Sequence, residues 1–250
     1  CFDSIPGNGR VRHAIFTRRG GVSQAPFDTL NLSVSVPDAE ENVLANRSRA
    51  YGSHGRDQSS LAQAHLTHGA GVAAVGQPDH GRYVGPVDGL ITDEPGCGLA
   101  MNYADCAPIF LYDPCQGAIG LGHAGWKGAI SDLPGAMVRA MADAFGCRPA
   151  DLLAAVGPTI GPCCYEVGEP VISAVHGAFA EGDRLLRSID GQSDKRYFDL
   201  PAANADRLET AGVRRIEQSG LCTACRTDLF FSHRAENGRT GRFGAIFILD

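Results

Sequence analysis

What the chain lacks narrows it first. None of its apolar runs approaches the ~20 residues that a helix needs to span a bilayer, which argues against a helical membrane protein. An excess of basic charge is also missing. Lys and Arg total 22 against 28 Asp and Glu, a formal net charge of −6. Nucleic acids and anionic membranes both select basic surfaces, so neither is an expected partner. No internal repeat, low-complexity tract or linker interrupts the sequence.

What remains is an ordinary globular chain. Its 250 residues suffice for a sizeable core, and 44% apolar with 20% charged residues is the usual balance of a folded domain. A single domain over residues 1–250 is expected. The nine cysteines cannot all pair, and their spacing is irregular. No secretory signal is visible at a start that begins with Cys1 rather than Met. Together these give the expectation of a cytoplasmic protein with free thiols, some of them chemically special.

Glycine is abundant, 32 residues, and clusters in short turns, which suggests many short strands joined tightly. Strands are expected at 11–16, 61–65, 71–75, 89–92, 108–112, 118–122, 153–156, 215–217 and 244–248. Helices are expected at 40–52, 131–145, 167–179 and 200–211, and Pro134 fits the first turn of the second, where its missing N–H costs nothing. The polar stretch 191–196 reads as a surface loop. The pattern is mixed α/β, of the α+β class, with mixed sheets flanked by helices.

Two strand pairs bear on function. PIFLYD, PCQG and AIGLGH read as a hairpin turning near Cys115, with Leu111 roughly opposite Ile119. Facing residues in such a pair lie ~4.5–5.5 Å apart, so Cys106 and His123 meet at the open end. SLAQAH, LTHGA and GVAAVG read as a second pair that leaves His65 at a strand end beside a glycine turn. His123 sits in LGHAGWKG among residues almost too small to pack around it, next to the only tryptophan, Trp126. Either those glycines leave room for something that is not protein, or they serve a tight turn.

The motifs QAHLTHGAGV, VDGLIT, ADCAPIFLYD, GHAGWKG, GPTIGPCCYEVG and FFSHRAENGRTGRFG occur here in order, preceded by FTRRGGVS, FDTLNLS and ANRSR. In this the chain resembles the YfiH family over nearly its whole length. Members of that family carry names such as laccase-domain protein, polyphenol oxidase and multifunctional purine nucleoside enzyme. The resemblance implies a YfiH-like layered architecture. It also implies a catalytic zinc held by His65, Cys106 and His123, and phosphorolysis of adenosine, inosine, guanosine and methylthioadenosine together with adenosine deamination. The chemistry is coherent: three His and Cys ligands leave zinc a fourth, open position, where a water is acidified. Trp126 would wall the pocket or stack on a flat base. Lys127, the N-terminus of the following helix, and Arg47 of the ANRSR motif would hold phosphate.

Other residues admit two readings. His68, three residues after His65, is set aside as a ligand because a turn does not aim both rings at one point. Asp88 suits either a carboxylate that orients a ligand histidine or a turn cap. The arginines of TRRGG and GRTGR suit an anion or plain solvent. Cys163 and Cys164 cannot both point one way in an extended segment. Cys222 and Cys225 form a CxxC without a second to complete a zinc ribbon, so metal, redox and structural roles stay open. Competing functions are a copper-dependent polyphenol oxidase and a metal-free hydrolase, with Cys106 as nucleophile and His123 as base, acting on a peptidoglycan precursor. No two of the eight histidines stand two residues apart, which argues against a laccase-type multicopper centre; a single copper in the His/Cys/His site stays compatible. The HxE and PCxxC signature of other zinc deaminases is absent. A monomer or homodimer is expected.

Overall fold

The computed structural model describes residues 2–5, 9–189 and 192–250. Cys1 lies outside them. Fourteen strands, numbered in chain order, form three sheets among these residues. The first sheet runs β1 (Val11–Ile15), β14 (Phe243–Leu249), β6 (Gly98–Tyr103), β2 (Leu61–Ala64) and β4 (Tyr83–Val84). The second runs β13 (Arg215–Gln218), β9 (Leu153–Val156), β7 (Ala107–Asp113), β8 (Ala118–Ala124), β5 (Gly89–Thr92) and β3 (Val72–Ala74). Both mix parallel and antiparallel pairs. A third, small sheet joins β10 (Glu166–Val167), β12 (Gln192–Phe198) and β11 (Leu186–Ile189). The helices are α1 (Glu40–Gly52), α2 (Trp126–Ile130), α3 (Leu133–Phe145), α4 (Glu169–Ala178) and α5 (Leu200–Thr210).

The alternation of side chains along each strand builds the layers. Phe110 and Tyr112 of β7 face Leu99 and Met101 of β6 and Phe243 and Phe247 of β14, so the two large sheets pack face to face. Ile109 and Leu111, one step out of phase, face Leu133, Met137, Val138 and Met141 of α3. Ile246 and Ile248 of β14 point the opposite way, onto Leu32 and Tyr51 of α1 and its preceding loop. Helix, sheet, sheet and helix therefore stack in order. With both faces covered, β7, β8 and β14 are buried at every position, which is why they read as continuous apolar runs.

Helix α3 carries its own signals. The Asp132 side chain accepts from the Gly135 N–H at 3.1 Å, Pro134 lies in the first turn, and Gly146 ends the helix in the left-handed region at φ 70, a conformation glycine adopts freely. Its four buried apolar side chains contribute roughly 1.5–3 kcal/mol each. The glycines of the neighbouring strands answer to this helix. A Cβ at Gly122 would meet Met137 Sδ at 2.5 Å, and one at Gly89 would meet Met137 Cγ at 2.9 Å. Much of the apparent free space around His123 in the sequence is therefore occupied by Met137.

Several expectations are corrected. The hairpin forms, but Leu111 faces Gly120 and Tyr112 faces Ile119, a slip of one from the expected register. β2 and β3 do not pair: β2 joins β6 and β4 in the first sheet, and β3 joins β5 in the second. The link between them crosses from sheet to sheet. The helix expected over 131–145 forms as α3, beginning two residues later, and an unexpected short helix, α2, precedes it, the two divided where Asp132 takes φ 61. Gly191 lies outside the described residues, and 192–196, expected as loop, belong to strand β12. Also unanticipated were β4, β6, β10 and β11.

Candidate metal and substrate site

The open end of the β7–β8 hairpin carries the first two site residues. Ala107 pairs with Ala124 and Pro108 with His123, which sets Cys106, just before β7, beside the His123 ring. Cys106 follows Asp105, whose φ of 83 turns the chain sharply between β6 and β7. That turn is held from several directions. The Asp105 carboxylate accepts from Thr223 Oγ1 at 2.7 Å and from the Arg234 N–H at 2.7 Å. Its carbonyl accepts from Thr159 Oγ1 at 2.6 Å and the Ile160 N–H at 3.0 Å.

The third residue is His68, on the link between the two sheets. Its ring lies 5.0 Å from that of His123, and one donor atom from each of His68, Cys106 and His123 falls within 4.8 Å of the others. His65, expected as a ligand, lines the same cavity but is not part of that group of donors. The physical reason is local. His68 sits in the left-handed region at φ 60, where Asp88 fixes it: the Asp88 carboxylate accepts from the N–H of Thr67 at 3.2 Å, of His68 at 2.9 Å and of Gly69 at 2.7 Å, and from Thr67 Oγ1 at 2.9 Å. The turn thus swings His68, not His65, towards Cys106. The glycine directly after His68, like those flanking His123, was the available cue.

Asp88 performs both roles open to it, holding the turn and facing His123. Its Oδ1 stands 3.4 Å from His123 Nδ1, close enough for attraction, while Nδ1 makes no hydrogen bond of good geometry. The opposite nitrogen is left for the cluster. Gly125 serves the sulfur, since a Cβ there would lie 2.7 Å from Cys106 Sγ.

The electrostatics match a ligand cluster. Burial opposes ionisation of Cys106, but the adjacent His123 charge and hydrogen bonds from His123 and His68 outweigh it and bring the thiol down to about 6. Burial likewise opposes a charged His123, yet Cys106 and Asp88 raise it to about 9. Burial works against an ionised Asp88 too, and the facing His123 together with the hydrogen bonds of Gly69 and Thr67 holds its carboxyl well below the usual range. Cys106 is thus poised as thiolate, the form that binds metal. Two imidazoles and a thiolate suit zinc, with a fourth position facing the cavity, and also copper.

The cluster opens on a cavity of about 790 Å³, within the range of small-molecule sites. Lys127, Arg234 and Arg242 lie on its wall, with Asp105 as the single carboxylate, and both Asp105 oxygens are already engaged. The cavity is therefore cationic although the chain as a whole is acidic. Trp126 and Tyr165 also line it, and the Arg234 guanidinium lies 5.0 Å over the Tyr165 ring. Gln63 faces Ala100 across β2 and β6, two residues from Asn102, so the two amides share a face. Gln63 Nε2 and Asn102 Oδ1 are buried without partners.

Lys127 is where it was expected. Arg47 is not: it is 2% exposed and donates to the Leu32 carbonyl, Gln58 Oε1 and Tyr83 Oη. It meets the cavity only through Tyr83, a lining residue, and so supports the wall instead of holding an anion. The N-terminus of α3 is capped by the Asp132 carboxylate, which accepts from the Gly135 N–H. Of the arginines in the two glycine-rich segments, Arg18 and Arg19 are tied to Asp28, Glu236 and Asp228, and Arg242 reaches the cavity. Arg234 was missed; it lies in SHRAENG, quoted only as a motif.

Similar proteins agree with this architecture. A family model described as multi-copper polyphenol oxidoreductase laccase matches residues 12–250. The purine nucleoside phosphorylase YlmD of Bacillus subtilis is 35% identical over 244 residues, spanning 94% of this chain and 87% of that protein. A purine nucleoside phosphorylase of Deinococcus radiodurans is 38% identical over 239 residues, 96% of this chain and 89% of that one. The crystal structure of YlmD from Geobacillus stearothermophilus matches with a TM-score of 0.92 at 34% identity, covering 98% of this chain and 94% of that one. Among the described residues, no helix is long and apolar enough to cross a membrane.

Proposed function

The chain belongs to the multi-copper polyphenol oxidoreductase laccase family, the YfiH family, and within it we propose that the protein is a zinc-dependent purine nucleoside phosphorylase that also deaminates adenosine. The observation that carries this reading is the placement of the His68, Cys106 and His123 donors on a cavity whose wall bears three cations and two large aromatic rings. The names of the relatives support the substrate class. His68, Cys106 and His123 would hold the metal. When bound, zinc supplies a Lewis acid with an open coordination position.

The remaining chemistry falls to the chain. Lys127, Arg234 and Arg242 hold phosphate and offset its charge. Trp126 and Tyr165 offer flat faces to the purine, and the unpartnered Gln63 Nε2 and Asn102 Oδ1 supply a donor and an acceptor for polar groups of the nucleoside. In phosphorolysis a phosphate oxygen bonds to the ribose C1′ as the bond from C1′ to the base breaks, and the bond's electron pair leaves with the base. Cations that fix phosphate at the ribose act by positioning.

The low Cys106 and raised His123 favour one further reading, a metal-free Cys–His hydrolase. Metal content and activity separate the two. Wild-type protein purified without chelator is expected to carry zinc at the cluster and to cleave inosine only with phosphate, releasing ammonia from adenosine. His68→Ala and Cys106→Ala should each lose that zinc and both activities, and His65→Ala should keep the metal. A wild-type cluster without metal, with Cys106 rapidly alkylated, overturns the zinc enzyme in favour of the hydrolase. Stoichiometric copper with phenol oxidation overturns it in favour of the oxidase.

A further inference from the structure

Four cysteines outside this site converge at one point. Cys163 and Cys164 lie in the turn that follows Gly161, and Cys222 and Cys225 form the CxxC. One sulfur from each lies within 4.8 Å of the other three. Cys225 Sγ stands 3.4 Å from Cys163 Sγ and 3.4 Å from Cys164 Sγ. The adjacent pair can point together because the segment is not extended: the N–H groups of Cys164 and Tyr165 both donate to the Gly161 carbonyl, at 3.0 Å each, which folds 161–165 into a tight turn.

We propose that Cys163, Cys164, Cys222 and Cys225 form a second, structural zinc site that clips the 161–165 turn to the 222–225 turn. Four thiolates are a standard closed zinc shell. With Zn–S at about 2.3 Å, a tetrahedron sets its sulfurs roughly 3.8 Å apart, inside the span observed here. Disulfides fit less well: the bond needs about 2.05 Å, all four thiols are free, and pairing would leave each sulfur of one bridge crowded by the other. The surroundings are those of a ligand cluster. The Gly161 N–H donates to Cys222 Sγ at 3.3 Å, which stabilises a thiolate as metal-bound sulfur requires. A bound divalent cation would displace the thiol protons and hold the four sulfurs together.

The position gives the clip a purpose. Tyr165, directly after Cys164, lines the catalytic cavity. Thr223, inside the CxxC, donates to Asp105, the residue before Cys106. Main-chain bonds also join the segments, from Thr159 N–H to the Leu221 carbonyl at 3.2 Å and from Thr223 N–H to the Thr159 carbonyl at 3.1 Å. The second metal would thus fix a wall of the cavity without touching substrate.

The test uses the full chain carrying Cys106→Ala, which removes the thiolate of the catalytic cluster and so isolates the second site whatever the first one binds. Purified without chelator or added metal, this protein should retain about one zinc per chain, and X-ray absorption should give an all-sulfur shell at about 2.3 Å. Adding Cys225→Ser should remove that zinc and leave Cys163 and Cys164 open to alkylation. No zinc on the Cys106→Ala protein, a shell of nitrogen and oxygen, disulfides joining these cysteines, or iron in place of zinc would each overturn the assignment. Because these readouts need only the Cys106→Ala protein, the test stands even if the double variant fails to fold.

Discussion

Asp88→Asn is the substitution that most directly probes how the sequence builds the candidate metal cluster. The native carboxylate is fully buried and accepts four hydrogen bonds, three on Oδ2 and one on Oδ1. An asparagine keeps one oxygen. With that oxygen in the Oδ2 position, the amide NH₂ meets the His68 N–H, donor against donor, and His123 loses its facing charge. Removing a hydrogen bond to a charged group costs about 1.5–3 kcal/mol, and each buried donor left unpaired adds about 1–3 kcal/mol. A net loss of about 3–5 kcal/mol is expected, a large share of a typical folding free energy. His68 would also lose the turn that aims it, and changes of this kind lower metal affinity about 10–100-fold. Urea unfolding of the metal-free protein reads the first effect, and zinc titration against a competing chelator reads the second. Unfolding free energy within about 0.5 kcal/mol of wild type, with unchanged zinc affinity, would refute the role given to Asp88. The native carboxyl is depressed, so its contribution is complete above the ordinary carboxylate range and is lost as pH falls through and below that range.

Three further outcomes follow from other contacts. His13 is buried between aromatic rings and its Nε2 accepts from the Phe2 N–H at 2.9 Å, and chiefly through burial its pKa falls from 6.5 to about 4. The unfolded chain takes the proton first, so this residue's contribution, roughly 3 kcal/mol, is full above 6.5, declines towards about 4 and then levels off; His13→Gln should flatten that part of a plot of urea midpoint against pH. Gly122→Ala pushes a methyl against Met137 and should cost about 1–3 kcal/mol, and combining it with Met137→Ala should recover at least part of that cost in denaturant melts; additive losses would place the strain elsewhere. Lys127→Ala and Arg234→Ala should each raise the KM for phosphate about tenfold with a smaller change for inosine, as expected for one lost charge-assisted contact, and equal effects on both substrates would contradict the phosphate assignment.

The parts of this molecule that can be read from the sequence are those governed by local rules. Helix α1 matches its expected bounds of 40–52, as α-helix formers without an internal proline dictate. Strand β9 matches at 153–156, and the β7–β8 hairpin forms and brings Cys106 to His123, with its register displaced by one. What the sequence hid depends on contacts between distant segments. Strand β6, buried at five of its six positions, has glycine and asparagine inside it and gives no clean alternation; it is a strand because β14 and β2 flank it. The room around His123 looked like space for a ligand, and much of it belongs to Met137 of α3. The choice between His65 and His68 could not be made from spacing either. It depends on a left-handed backbone at His68, which a non-glycine residue adopts only when its surroundings impose it. Here they do, through an aspartate twenty residues away that accepts the His68 N–H. A turn aims its side chains by its dihedrals, and those are fixed by a carboxylate from the neighbouring sheet. Ligand assignment from sequence in a fold of this kind therefore depends on identifying the residue that imposes the turn, in this chain Asp88, before counting histidines.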